Sequence, residues 1–197
     1  ELLTGDKTKG GVHPNTHVNM AQSSNDVIPS AKDLVIYWEL AKVIESANRC
    51  VKALREKAHE FKDVLKLGRT GIQDAVPITL GQELEGYAHG IDRMRERLIT
   101  EQVRWNHSCL GGTAVGTGMG CMPGFRAVIH KHLSDVLGRP MEAEGDLVDG
   151  MMAIDGLIIA HAHILALSTQ MWKLARDIRM IASGERTGLR EITLPER

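Results

Sequence analysis

The stretch LVDGMMAIDGLIIAHAHILALSTQMWKLARDIRMIA, residues 147–182, contains no proline, and its only glycines are Gly150 and Gly156. As a single α-helix it would be about 50 Å long at 1.5 Å per residue. A compact globule of this chain length is only about 40 Å across. The section from Leu157 to Leu167 is apolar nearly all round, which is typical of a helix surrounded by protein. We therefore predict that this is the longest helix and that other subunits complete the core around it.

The rest of the chain carries further helical patterns separated by two irregular stretches. From about residue 29 to residue 61 an apolar side chain recurs every three or four positions, as in a coiled-coil seam. A second helix is predicted over 82–109 and a shorter one over 123–137, with Gly138 just past its end. Residues 1–27 and 66–80 are predicted to be loops. The predicted fold class is all-α, with a polar active-site loop region at 1–27 and a central long-helix bundle domain at 28–197.

Composition narrows the classes of function. The formal net charge is -1, from 24 basic and 25 acidic residues, so no nucleic-acid-binding surface is indicated. Apolar residues make up 43% but aromatic residues only 4%, which favours helices packed through aliphatic side chains. Charged residues interrupt the apolar stretches, so no membrane span is predicted. The three cysteines show no paired spacing, which indicates free thiols and a cytoplasmic location.

The first polar patch, residues 12–26, lies just before a predicted helix. Unpaired N–H groups at a helix N-terminus suit a carboxylate ligand. The alternative is that Ser23, Ser24, Asn25 and Asp26 simply cap the helix, and the spacing alone favours this second interpretation.

Two more polar patches allow competing interpretations. In residues 68–77, Arg69 and Thr70 form either a carboxylate-binding pair or part of a plain loop between helices. In residues 111–118, Gly-rich backbone forms either an anion-binding nest or, as the spacing favours, a tight turn. His161 and His163 point to different faces of their helix, and His13 and His17 have no Glu or Cys at ligand spacing, so no metal site is predicted.

Four blocks of sequence resemble, in order, those of the class II fumarase/aspartase superfamily. They are HPN…HVN…QSSND within 13–26, GRT…QDAVP…LGQE within 68–83, GTAVGTG at 112–118, and ARDIR…SG…GL…EITLP within 175–195. The resemblance covers essentially the whole chain. It implies an all-α homotetramer whose middle domains form a twenty-helix core and whose active sites are each built from three subunits.

The resemblance also implies site residues. Ser23, Ser24 and Asn25 match the loop that binds a substrate carboxylate, and Thr70 matches a substrate-binding Thr donated to a neighbouring subunit's site. A second anion site is implied at His13 and Asn15, although Thr16 stands where the superfamily usually has Asp. The implied partners are a small dicarboxylate and the other subunits, with no nucleic acid, no membrane, no metal and no cofactor.

The implied activity is a lyase most like aspartate ammonia-lyase, which converts aspartate to fumarate and ammonia by anti elimination. The alternatives are class II fumarate hydratase and, in another class, a catalytically inactive helical assembly paralogue. Gly71 favours the paralogue, because the superfamily usually has His or Gln there. No catalytic residue is secure, since the superfamily's base loop would follow Arg197 and its amino- and carboxy-terminal domains are expected to lie outside this chain. The 197-residue chain alone is therefore predicted to be inactive.

Overall fold

The computed structural model describes residues 12–195, so the first eleven residues of the predicted loop region lie outside it. It contains five α-helices: α1 (Ser24–Glu60), α2 (Leu80–Val103), α3 (Phe125–Leu137), α4 (Leu147–Met152) and α5 (Asp155–Ile181). Two two-stranded pairings accompany them: antiparallel β1 (Leu65–Thr70) with β2 (Gln73–Thr79), and parallel β3 (His107–Ser108) with β4 (Glu142–Ala143). The helices dominate the described chain, which confirms the all-α class. No helix among the described residues is long and apolar enough to cross a bilayer.

The prediction of one helix over 147–182 is wrong. The chain leaves the helical conformation at Ala153, where ψ is 132° and the backbone N–H closes α4 on the Asp149 carbonyl at 2.8 Å. Helix α5 then starts at Asp155 and has 27 residues, whereas α1 has 37 and is the longest helix. Helix α1 is therefore about 55 Å long at 1.5 Å per residue.

The loop predicted at 66–80 is a β-hairpin. Strands β1 and β2 pair from Leu65 opposite Thr79 to Thr70 opposite Gln73, with an irregularity at Gly68. The two residues of the turn, Gly71 and Ile72, have φ of 57° and 67°. Positive φ at both positions is the requirement of a two-residue type I′ turn, whose twist matches that of the strands.

Ile72 is strained in this turn, because a β-branched residue rarely adopts positive φ. Its side chain is 66% exposed, so little packing offsets the strain. We expect Ile72→Asn to stabilise the protein by about 0.5–1 kcal/mol, since the left-handed conformation costs most residues roughly 1–2 kcal/mol and Asn less. Urea denaturation followed by circular dichroism measures this. A lower denaturation midpoint for Ile72→Asn would contradict the argument.

The described chain forms two compact units, and the second comprises Leu40–Glu101 together with the residues from Gly156 onward. Its core is made by α2, α5 and the part of α1 after Glu39. On α5 every seventh residue is buried: Ala160, Leu167, Leu174 and Ile181. Arg55 donates to Asp92 at 2.9 Å, which links α1 to α2, and the Tyr87 hydroxyl donates to Asp177 at 2.6 Å, which links α2 to α5. A seven-residue period is that of a coiled-coil seam.

Helix α5 has a second apolar row that none of residues 12–195 covers. Ile158, Leu165 and Trp172 are also seven residues apart, and they are 62%, 58% and 60% exposed. Each lies two positions before a buried core residue, which places the row on the opposite side of the helix. Contiguous exposed apolar surface of this kind marks an interaction site.

The first unit takes in the chain up to Glu39 and Gln102–Asp155, and its interior is unusually polar. Asp26, Ser30, Ser108 and Thr113 are all buried there, beside the apolar Cys109. Buried polar groups are costly unless they are hydrogen-bonded. The bonds that these residues make therefore determine how this unit is held together.

Candidate functional site

Helix α1 begins with a reciprocal hydrogen-bonded cap. The Ser23 hydroxyl accepts from the Asn25 N–H at 3.1 Å, and the Asp26 carboxylate accepts from the Ser23 N–H at 3.1 Å. Such a pair satisfies N–H groups that the first turn of a helix leaves unbonded. The helix therefore starts five residues before Pro29, where the pattern had placed it. Ser23 has the capping role that the sequence allowed as an alternative.

The Gly-rich segment after Cys109 folds around the same carboxylate. The backbone N–H groups of Gly111 and Thr113 donate to Asp26 Oδ2 at 3.1 and 2.8 Å. Both interpretations of this segment are therefore partly right. It is a turn, and its N–H groups do bind an anion, but that anion is the protein's own Asp26.

The far end of the turn lies against the start of α4. A Cβ atom built on Gly116 would be 2.5 Å from the backbone N and Cα of Val148, and the φ of Gly116 is +88°. Only glycine permits both that conformation and that approach. The turn thus fixes α4 as well as the N-terminus of α1.

These three elements enclose a cavity of about 440 Å³. Ser24 and Asn25 contribute its polar side chains, and the Asn25 amide donates to the Ala114 carbonyl at 2.9 Å. Apolar side chains form most of the remaining wall: Ile28, Pro29, Ala114, Val115, Val148, Met151 and Met152. The cavity offers a hydroxyl and an amide to a small polar ligand.

None of the side chains that line this cavity titrates. The titratable groups of this unit lie outside the cavity wall. Burial raises the pKa of Asp33 to about 6, against the opposing effect of Lys32, and the nearby Glu144 adds to the rise. The described cavity can therefore bind and orient a ligand, but its own side chains include no general base.

Thr70 and Gly71 lie at the tip of the hairpin, in the second unit. Thr70 ends β1 and is exposed, so its hydroxyl is accessible to a ligand or to another chain. A Cβ on Gly71 would meet nothing within 4 Å. No neighbouring atom therefore excludes a side chain at Gly71, although its φ of +57° favours glycine in the turn. Gly71 also borders a second cavity of about 270 Å³, whose lining includes Lys66, Arg69 and residues of α5.

Arg69 is not free to bind a ligand carboxylate, because Glu191 already occupies its guanidinium. The Arg69 Nη2 atom donates to Glu191 Oε1 at 2.5 Å, and Lys66 Nζ lies 2.8 Å from Glu191 Oε2. Lys66 also pairs with Glu83. These side chains are mostly buried, with 8% of Lys66, 13% of Arg69 and 18% of Glu191 exposed. This cluster fastens the tail of the described chain to strand β1.

The Glu191 cluster predicts a pH dependence of stability. Burial raises the pKa of Glu191, but hydrogen bonds from Arg69 and Lys66 outweigh it and leave the pKa below its usual value. A depressed pKa in the folded state means that stabilisation is complete above the unfolded pKa and is lost as pH falls through the folded value. We expect Glu191→Gln to cost about 1.5–3 kcal/mol at pH 7, the usual range for hydrogen bonds to charged groups.

The difference between wild type and Glu191→Gln should shrink as the pH falls below 4.5, which urea denaturation at several pH values can measure. Glu185→Gln is the matched control, because its partner Arg190 lies at 3.4 Å on an exposed surface. Exposed pairs contribute little. An equal loss of stability in the two variants would contradict the role of the cluster.

His13 and Asn15 lie together in a single π-helical turn, Pro14–Val18 and its cap. The His13 Nδ1 atom accepts from the N–H groups of Asn15 and Thr16, each at 3.2 Å. The His13 N–H in turn donates to His17 Nδ1 at 2.9 Å. The Nδ1 atom of His13 is therefore occupied by backbone donors of its own turn. A ligand at this site would have to contact His13 Nε2 or the Asn15 side-chain amide.

The sequence predicted the capping role of Asp26 at the start of α1. An acidic residue three positions after a Ser, at the start of a helical pattern, indicates a capping box. No sequence signal indicated that the same carboxylate would bind the Gly-rich turn more than eighty residues later. In the described part of the chain, no group of three His, Cys, Asp or Glu residues is placed to hold a metal ion.

Comparison with known proteins identifies the family. The model of the Lyase_1 family, described as "Lyase", matches residues 1–197. An aspartate ammonia-lyase from Helicobacter pylori is 39% identical over 184 residues, 93% of this chain and 39% of the relative. Fumarate hydratase class II 2 from Bradyrhizobium diazoefficiens is 39% identical over 198 residues, 100% of this chain and 42% of the relative. The chain thus spans about two-fifths of the length of these relatives.

Solved structures agree with the sequence comparisons. A fumarate lyase:delta crystallin from Brucella melitensis bound to cobalt superposes with a TM-score of 0.91 at 36% identity, covering 97% of this chain and 41% of that one. A recombinant class II fumarase from Schistosoma mansoni superposes with a TM-score of 0.87 at 32% identity, covering 95% and 43%. The resemblance inferred from the four sequence blocks is confirmed. The chain belongs to the Lyase_1 family and is part of a member of the fumarase/aspartase superfamily.

Proposed function

We propose that the protein to which this chain belongs is a lyase that converts aspartate to fumarate and ammonia. Family membership supports the lyase class, and the cavity at the N-terminus of α1 supports a carboxylate substrate. The observation that carries the proposal is the pair of neutral donors, Ser24 and Asn25, in a cavity at the positive end of a long helix. Ser23 supports them by capping that helix.

The proposed reaction is an anti elimination. A base removes the proton from the carbon next to one carboxylate, and hydrogen-bond donors stabilise the negative charge that develops on that carboxylate. The amino group on the neighbouring carbon then leaves as ammonia. The cavity supplies donors without a base, so the base belongs to a part of the protein other than the cavity wall. Thr70 is proposed to contact the substrate of another subunit, which its exposure permits. A second anion site is proposed at His13 and Asn15.

The second candidate is class II fumarate hydratase, which acts on malate. The Bradyrhizobium relative that carries that name is as similar to this chain as the Helicobacter aspartate ammonia-lyase. The third candidate, an inactive helical assembly paralogue, is supported by Gly71, which provides no side chain at the position where the superfamily usually has His or Gln. Neither alternative changes the proposed ligand class, a small dicarboxylate.

We propose that the protein is a homotetramer with shared active sites, in which residues 28–197 form the central bundle and residues 1–27 the active-site loop region. The uncovered row of Ile158, Leu165 and Trp172 on α5 supports a further helix packing there. A cytoplasmic location is supported by Cys50, Cys109 and Cys121, which are all free thiols.

A fumarate-absorbance assay on the purified full-length protein tests the function, first with aspartate and then with malate. We expect turnover of aspartate within the usual enzyme range of about 1–10³ s⁻¹. Asn25→Ala should lower the rate about 10²–10³-fold, the usual loss when one donor to a developing oxyanion is removed. Turnover of malate alone would favour the hydratase, and no turnover of either would favour the paralogue. The isolated 197-residue chain should be inactive in the same assay.

A further inference from the structure

The Asp26 carboxylate is fully buried and has three backbone donors. Asp26 has 0% of its surface exposed. Oδ1 accepts from the Ser23 N–H at 3.1 Å, and Oδ2 accepts from the N–H groups of Gly111 and Thr113 at 3.1 and 2.8 Å. Hydrogen bonds to an ionised acceptor are about twice as strong as neutral ones. Asp26 therefore connects α1 to the Gly-rich turn through two backbone hydrogen bonds.

The backbone around Asp26 is held as firmly as its side chain. Its carbonyl accepts from the Ser30 hydroxyl at 2.7 Å and from the Cys109 thiol at 3.4 Å. In the Gly-rich turn that Asp26 contacts, the Thr113 hydroxyl donates to the carbonyls of Gly112 and Met119 at 2.7 and 2.9 Å. Thr113 has a φ of 58°, which a β-branched residue adopts only when its surroundings enforce it. The hydrogen bond from the Thr113 N–H to Asp26 helps to hold Thr113 in this conformation.

The contact continues directly into the cavity. Ala114 follows Thr113, and its carbonyl accepts the Asn25 amide at 2.9 Å. Asn25 precedes Asp26 on α1, so two adjacent residues of the helix bind two adjacent residues of the turn. The position of the turn therefore fixes the rotamer of Asn25, and with it the direction of the amide N–H that is left for a ligand.

We propose that Asp26 is a positioning residue for dicarboxylate binding, which holds the Gly111–Thr113 turn so that Ala114 orients the Asn25 amide beside the Ser24 hydroxyl. Asp26 does not line the cavity and touches no substrate. Its effect on the ligand passes through Asn25. The inference rests on the proposed function in one respect, namely that the ligand is a dicarboxylate.

A double-mutant cycle tests whether Asp26 acts through Asn25. The probe is succinate, a dicarboxylate that cannot undergo the elimination, and its dissociation constant is measured by calorimetry on the full-length protein. Asp26→Asn nearly keeps the side-chain shape, but it places an amide N–H opposite at least one backbone N–H donor. We expect it to weaken succinate binding about tenfold in the wild-type background. In the Asn25→Ala background the same change should alter affinity less than about twofold, because coupled residues are not additive.

Asp33→Asn is the matched control. It is the same substitution on the same helix, but its carboxylate pairs with Lys32 at 3.8 Å and does not contact the turn. Succinate affinity should not change in this variant. In a turnover assay, Asp26→Asn should raise KM and also lower kcat, because the Asn25 amide that it orients is the proposed donor to the developing oxyanion. In the Asn25→Ala background the same change should leave kcat within about twofold.

Additive losses in the cycle would overturn the proposal, because a purely structural role would weaken binding equally with and without the Asn25 amide. Absence of succinate binding in the wild type would overturn it as well. If Asp26→Asn does not fold, the same double-mutant cycle is run with Asp26→Glu. That variant keeps the carboxylate but lengthens the side chain by one methylene, which should displace the Gly-rich turn. Failure of both variants to fold would show a structural role only and overturn the positioning role. A protein that shows the coupling but turns over neither aspartate nor malate would refute the proposed function and not this inference.

Discussion

Gly116→Ala is expected to destabilise the protein by about 2–5 kcal/mol, combining the usual costs of overpacking and of a left-handed non-glycine residue. The added Cβ would lie 2.5 Å from backbone atoms of Val148. Backbone cannot move aside as a flexible side chain can, so α4 must shift as a whole. Because Val148, Met151 and Met152 form one wall of the cavity, the shift should also weaken dicarboxylate binding.

Gly120→Ala is the control that separates the cost of overpacking from the cost of a left-handed backbone conformation. Gly120 has a φ of +83°, close to that of Gly116, but a Cβ there would meet nothing within 4 Å. It should therefore cost only the conformational penalty, about 1–2 kcal/mol, and leave the cavity unchanged. Urea denaturation of both variants, followed by circular dichroism, measures the difference. Equal losses in the two variants would show that the approach of α4 to the turn is not tight.

Ile158→Asp is expected to dissociate the proposed tetramer. Ile158 begins the apolar row on α5 that the described part of the chain leaves exposed. If a neighbouring helix covers the row, the new carboxylate is buried without a partner, which typically costs about 3–5 kcal/mol. Since each 1.4 kcal/mol is tenfold, association should weaken by at least about a hundredfold.

Sedimentation velocity of the full-length protein at micromolar concentration measures this dissociation. The control is Val136→Asp, which places the same charge on a β-branched residue of α3 that is 82% exposed. That variant should sediment like the wild type. A wild-type protein that sediments as a monomer would refute the assembly, and an Ile158→Asp variant that stays tetrameric would place the interface elsewhere.

The helical core could be predicted from the sequence because its signal is periodic. The regular spacing of apolar residues on α1 indicated a helix with coiled-coil packing. In the structure the buried row from Ala160 to Ile181 on α5 also has a seven-residue period. Periodicity does not determine how many sides of a helix its own chain covers. The all-round apolar section of α5 indicated that the helix would be surrounded, and the structure shows which row remains uncovered.

Two features of the fold were missed for different physical reasons. The break between α4 and α5 occurs at Ala153, a strong helix former, so no local propensity signals it. The hairpin was predicted to be a loop because Gly68, Gly71 and Pro77 are turn signals. In the structure Gly71 forms the type I′ turn, and Gly68 lies where the strand register is irregular. Glycine and proline mark the end of helices more reliably than they distinguish hairpins from loops.

The candidate site was predictable as a set of residues but not as a geometry. The motif at 23–26 grouped Ser24 and Asn25, which line one cavity, with Ser23, which caps the helix. That these residues bind a substrate stays a prediction. It could not show that Asp26 bridges to Gly111 and Thr113, because that contact joins segments far apart in sequence. The charge of Arg69 suggested a ligand contact, whereas in the structure it pairs with Glu191, which lies 122 residues later in the sequence.

The two apolar rows of α5 make this helix sensitive to changes in length. A substitution alters one row at one position, but the insertion of a single residue rotates everything beyond it by about 100°. After such an insertion at Thr169, the buried positions Leu174 and Ile181 and the exposed position Trp172 would all leave their rows together. We therefore expect α5 to tolerate many single substitutions and almost no one-residue insertions, while an insertion of seven residues would restore both rows.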